Sequence, residues 1–253
     1  PENKEQWPIH PIYSHAFITD AEEGLIVVDV MTLSDGNPRN NFLERAATFN
    51  PGGRLDGAVN IAIAGNTAYV CCMRGVVAVD ISDPLRPAIL AELGAPFIRG
   101  AKAVAVQFRY AFVCDAEGVK VIDVTLPGAM QPVKKTLPLA GAQDVYLART
   151  YAYVAAGKQG LAIIDAENPE NLVLEKLFSA GGLIDDARGV KVGATNAGVF
   201  AYVADGKKDL RVIQLISPAD TPGHLGFSPG PTPKLIWTRK TTGTALAISK
   251  GMD

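Results

Sequence analysis

A chain of 253 residues is long enough for one large β domain or two small ones, and size alone does not choose between them. With 24 Lys and Arg against 26 Asp and Glu the net charge is -2, which argues against nucleic acid or an anionic membrane surface as the partner. The chain is 48% hydrophobic, yet no apolar run approaches the ~18 residues of a membrane-spanning helix, since even "GLIVVDVM" is interrupted by Asp29.

Along the chain the same phrase returns. It is first "HAFITDAEEGLIVVD" from His15, then "TAYVCCMRGVVAVD" from Thr67 and "YAFVCDAEGVKVID" from Tyr110. It comes again as "YAYVAAGKQGLAIID" from Tyr151 and, altered, around "AYVADGKKDLRVIQ" from Ala201. The aromatic marks Phe17, Tyr69, Phe112, Tyr153 and Tyr202 lie roughly forty to fifty residues apart, the period of propeller blades. Each mark opens a hairpin whose second arm follows a turn cluster. A further run precedes it ("GAVNIAI", "AKAVAVQF", "AQDVYLA", "ARGVKVG") and another follows a turn that usually holds Pro ("PAILAEL", "PVKKTLPL", "LVLEKLF", "KLIWTRK").

Four strands per unit, here called A to D, predict an all-β, five-bladed β-propeller of four-stranded antiparallel blades, one domain over 1–253. The chain enters at a B strand, with "ERAATF" as the first D strand, so Thr244–Ser249 ("TALAIS") is expected to supply the missing A strand and close the first blade. Longer passages, "LSDGNPRNNFLERAATFNPGGRLDG" and "SAGGLIDDARG", interrupt the repeat where binding usually resides. The ends "PENK" and "SKGMD" carry neither an initiator Met nor a closing turn, which fits a piece of a longer chain or a spacer within one.

Asp29, Asp80, Asp123 and Asp165 end the C strands, and Pro84, Pro127 and Pro169 follow the last three. A carboxylate there accepts N–H bonds from the turn while Pro presets φ, a structural rather than chemical role. The fifth copy is Gln214, which could keep a hydrogen bond but not act as an acid.

The pattern "GLAIIDAENPENL", with "GVVAVDISDPLRP" and "GLIVVDV", resembles the LVIVD-repeat family of β-propellers, from Ala16 to about Leu215. The resemblance implies a secreted, periplasmic or cell-surface propeller of mostly unassigned function, some of whose relatives accompany multihaem c-type cytochromes. The expected role is a non-enzymatic interaction or scaffold module with a protein partner.

No cofactor is expected in the chain itself, because "CCMRG" lacks the C-x-x-C-H needed for covalent haem. Cys71, Cys72 and Cys114 read as small buried apolar side chains. His10, His15 and His224 fit no standard zinc spacing, so no metal is expected.

Residues before the A strands, Asp56, Lys102, Asp144, Asp185, Asp186 and Arg188, are the candidate funnel or partner surface. The alternative function uses these carboxylates, glycosidase-like, on a saccharide or a cation. Carboxyl groups facing one another would favour that alternative, and acid-base pairs would favour structure. "DGKKD", Asp205 to Asp209, reads as a solvated hairpin turn.

Overall fold

The computed structural model describes residues 10–33, 35–195, 198–207 and 209–249. Two compact units divide the chain, one of residues 1–109 and 123–131, the other of 110–122 and 132–253, so the division falls inside the third repeat. Among the described residues the regular structure is antiparallel sheet apart from a few single 3-10 turns.

In the first unit, β1 (His15–Asp20), β2 (Gly24–Asp29) and β3 (Glu44–Phe49) form a three-stranded sheet. β4 (Asn60–Ala64), β5 (Thr67–Cys72), β6 (Gly75–Asp80) and β7 (Ala88–Leu93) form a complete four-stranded one, and β8 (Ala103–Gln107) packs beside β4. In the order A to D, β5 and β6 are the buried middle and β7 is the partly exposed edge. The strands of the middle pair are buried on both faces, which is why they lack polar alternation. Ala68, Val70 and Val77 of the second sheet pack with Leu25 and Phe17 of the first.

The second unit holds β9 (Tyr110–Cys114), most of β10 (Gly118–Asp123), Pro132 of β11 (Gln131–Pro132), and β12 (Leu137–Pro138). The expected D strand "PVKKTLPL" is thus two short pieces, and β12 pairs β10 only at Gly118↔Pro138 and Val119↔Leu137. Pro132 and Pro138 lack the N–H that a longer ladder needs. Two full sheets follow. One is β13 (Asp144–Ala148), β14 (Tyr151–Ala155), β15 (Leu161–Asp165) and β16 (Val173–Phe178); the other is β17 (Ala187–Thr195), β18 (Gly198–Asp205), β19 (Asp209–Ile216) and β20 (Lys234–Lys240).

A register shift recurs between the C and D strands, at Val27/Val28, Ala78/Val79, Ile163/Ile164 and Val212/Ile213. It leaves Ala46, Leu90, Glu175 and Ile236 of the edge strands without a ladder partner. Such a bulge bends the edge strand and raises its twist. It is present in the fifth repeat, where Gln214 replaces the Asp, so the Asp does not cause it.

At the entry to the C strand stand Gly75, the first residue of β6, and Gly160, the residue before β15, with φ of 114° and 80°. A Cβ there would overlap the carbonyl oxygen of Leu93 or Phe178, at the end of the edge strand. Only Gly meets both demands cheaply.

The expected closing strand is corrected. Thr244–Ser249 forms no strand, and the sheet β1–β3 has three. The run lies against its own neighbouring repeat instead. Gly189 of β17 has no Cβ to fend off Leu246 and Ala247, and the run shares a cleft with Ala204 and Leu210. Residues 250–253 of "SKGMD" lie outside the described residues.

Candidate functional site

The four recurring carboxylates each hold the turn that follows them. Asp29 Oδ1 accepts from Met31 N at 2.8 Å, Asp80 from Ser82 N at 2.8 Å and Asp165 from Glu167 N at 2.9 Å. Asp123 accepts from Thr125 N at 2.8 Å and from its hydroxyl at 2.6 Å, and these bonds, the hydroxyl's first, lower its pKa. Pro84, Pro127 and Pro169 all lie in the turns beyond.

Of the candidate surface residues, Asp56 and Lys102 belong to the first unit. Asp56 Oδ1 accepts from Asn50 Nδ2 at 2.8 Å, inside the loop that Asn50 also pins through Leu55 N at 2.8 Å. Lys102 is half-buried between Ala101 and Ala103. The other four belong to the second unit, and each has an oppositely charged partner. Asp144 Oδ2 takes Lys191 Nζ at 3.2 Å and Val190 N at 3.0 Å, tying β13 to β17. Asp185 pairs with Lys207, and Asp186 with Arg188 at 3.0 Å. Acid-base pairs are therefore what these positions hold.

Beneath them is a charged network that the sequence did not announce. Arg211, 9% exposed, places Nε 3.1 Å from Asp205 Oδ2 and Nη2 2.6 Å from Asp209 Oδ2. Its remaining donors reach Leu183 O at 2.6 Å and Thr238 Oγ1 at 3.1 Å. Lys240 Nζ straddles the Asp209 carboxylate at 2.8 and 3.0 Å, and Asp205 Oδ1 accepts from Asp186 N at 2.9 Å.

The "DGKKD" turn is accordingly corrected: Lys207 is exposed, but Asp205 and Asp209 are buried. Asp209 stands where other repeats have Gly, and Arg211 where they have Ile, Val, Lys or Ala. Two charged departures three strand positions or fewer apart were the available signal. The inserted "SAGGLIDDARG" folds onto this network through Leu183 and Asp186.

A second buried cation occupies the same place in the third repeat. Lys120, 2% exposed, lies 2.8 Å from Asp115 and 2.6 Å from Glu117. Burial pushes its pKa down, but the hydrogen bonds to Asp115 and Glu117 outweigh it and leave the pKa raised.

Burial acts on the thiols as well. Cys71, Cys72 and Cys114 are buried and outside any disulfide, and burial raises the pKa of Cys72 and, further, of Cys71. His10 Nε2 lies 2.7 Å from Gly65 O and His15 Nδ1 2.8 Å from Ser14 Oγ, while His224 is half-buried. Among the described residues no three His, Cys, Asp or Glu come together as metal ligands do.

The second unit also contains a cavity of about 460 Å³ between the fourth and fifth sheets, near the β13–β14 turn and beside Ala194 of β17 and Val199 of β18. Tyr146, Arg149, Tyr151, Tyr153 and Ser228 are among its walls. Its lid is the long C-to-D connection of the fifth repeat, "SPADTPGHLGFSPGPTP", where Ser228 Oγ is 2.5 Å from Thr150 Oγ1. That connection is far longer than the Pro turns of the second and fourth repeats, and its length was the signal for the cavity.

The LVIVD repeat model matches residues 14–38, 57–92, 98–134, 141–178 and 186–218. Among solved structures the chain is similar to a functionally unknown protein from Desulfotomaculum acetoxidans, at 14% identity and a TM-score of 0.63, over 96% of this chain and 70% of that one. It is similar also to the computationally designed Ika8 protein, at 13% identity and a TM-score of 0.58, over 94% of this chain and 63% of that one. At these identities the likeness concerns the fold alone. No curated protein matches the chain.

Proposed function

The chain belongs to the LVIVD repeat family, and on that premise we propose that it is a non-enzymatic interaction module, its five repeats the blades of one β-propeller that docks a protein partner. The observation that carries this reading is the first insertion. Its turn is held by Asp35, which accepts from Asn37 N at 2.8 Å and from Asn40 Nδ2 at 2.6 Å, and these two bonds, the side-chain one first, lower its pKa. Yet the same loop leaves Leu33, Phe42 and Leu43 each more than half exposed. An ordered loop that spends its apolar side chains on solvent fits a protein contact. The pairing of Asp144, Asp185 and Asp186 with Lys191, Lys207 and Arg188 also favours it over glycosidase-like chemistry, which needs an acid and a base kept apart for substrate.

Within this reading the partner is a multihaem c-type cytochrome or another protein of the cell surface, and the module is secreted, periplasmic or surface-bound. What supports both is the family resemblance. Isolating the native particle and recording its mass and Soret absorbance tests the reading. A heavier particle with a haem band supports the cytochrome, and replacing Leu33, Phe42 and Leu43 by Ser then releases it. A bare monomer with no Soret band overturns it.

A further inference from the structure

The cavity of the second unit goes beyond that role. It lies where the repeat is least regular: β17 and β18 run nine and eight residues against five in β13 and β14, and the long loop carrying Ser228 closes over them. Neither departure is needed to stack one sheet on another, since the second repeat does without both. Its volume, about 460 Å³, falls in the range of pockets that hold small ligands, roughly 300–1,000 Å³.

The walls show what such a ligand would be. Tyr151 and Tyr153 are 8% and 2% exposed, and both line the cavity. Neither hydroxyl is hydrogen-bonded to a described residue, and neither oxygen is among those sealed off without a partner, so both hydroxyls are left accessible rather than enclosed. Burial raises the pKa of both, so each phenol keeps the proton it would donate. Their rings, tilted at 45° with centroids 6.3 Å apart, stand with Tyr146, Val192 and Ile216 as the apolar part of a partly open wall of mixed polarity. No Asp or Glu belongs to the described lining, and the charged residue that does, Arg149, is a cation.

We propose that this cavity binds a small aromatic carboxylate of one or two rings. Its ring lies among the tyrosines and aliphatic walls, and its oxygens accept from the Tyr151 and Tyr153 hydroxyls, with Arg149 supplying the complementary charge.

Calorimetric titration of the whole chain with 2-naphthoate tests this. Saturable one-to-one binding is expected, weakened about tenfold or more in Tyr153→Phe and in Tyr151→Phe, because each loses a hydrogen bond to a charged group. Arg149→Gln should weaken the acid but not the uncharged 2-naphthalenemethanol. No saturable heat, or the same affinity in Tyr153→Phe, overturns the proposal. Without ligand, Tyr153→Phe should leave the thermal midpoint unchanged or raised, since its hydroxyl has no partner to lose among the described residues. A fall of several degrees would reveal an internal partner and overturn the proposal as well.

Discussion

The fourth and fifth repeats share one unit and the same C-to-D register shift, but little of their signature. In the fourth, Gly160 stands at the entry to the C strand, Ala162 sits two residues on and Asp165 ends it; in the fifth those places hold Asp209, Arg211 and Gln214. The hairpins nevertheless align alike, Tyr153 opposite Ile163 and Tyr202 opposite Val212, with the bulge at the same step. The strand frame therefore does not depend on the signature residues. It depends on the apolar B and C strands, whose Tyr153, Ile163, Ala201, Val203 and Ile213 make one core. The fifth repeat tolerates its charges because they arrive as a set, each buried carboxylate facing a cation.

Breaking that set should give the largest effect. Arg211→Ala leaves Asp205 and Asp209 buried without their shared partner, and urea unfolding should show a loss of about 3–5 kcal/mol. Ala162, at the same place in the fourth repeat, has no such partners to abandon. Next comes the aromatic mark. Tyr153→Ala should cost about 3–5 kcal/mol because its ring is almost wholly enclosed. Tyr202→Ala should cost less than half of that, its ring being only half-buried. Equal losses would show that the two sheets bury their B strands alike.

Gly160→Ala meets a positive φ and the Phe178 carbonyl at once, and should lower stability by about 1–3 kcal/mol. The smallest contrast is at the turns. Asp165→Ala should cost about 1 kcal/mol, the hydrogen bond to Glu167 N, against about 0.5 or less for Gln214→Ala.

The third repeat extends the comparison to pH. Lys120 has a raised folded pKa, so its contribution is fully present below the ordinary lysine value of about 10.4 and is lost as pH rises through the higher folded one. Alkaline unfolding of the wild-type chain should therefore show a decline that Lys120→Met removes.

Much of the fold was legible because its determinants are local. Apolar runs, turn residues and the aromatic marks recur in register, and the strands from β1 to β20 follow them closely. The run Thr244–Ser249 was misread for an instructive reason. Its pattern suits a strand, but pattern does not name a partner, and the bare backbone of Gly189 gives the run another place to lie. The site was less legible. Asp144 and Asp185 stood out as acids, yet their Lys191 and Lys207 partners lie on other strands and turns, and sequence adjacency conceals them.

By itself the sequence determined the repeat, its four-strand grammar and the turn role of Asp29, Asp80, Asp123 and Asp165, since those depend on spacing and on bonds to residues two positions away. Only the tertiary structure decided which charges are buried, which acids are neutralised and that Tyr151 and Tyr153 line one cavity. Burial and pairing are properties of neighbours distant in the chain, and packing alone brings those neighbours together.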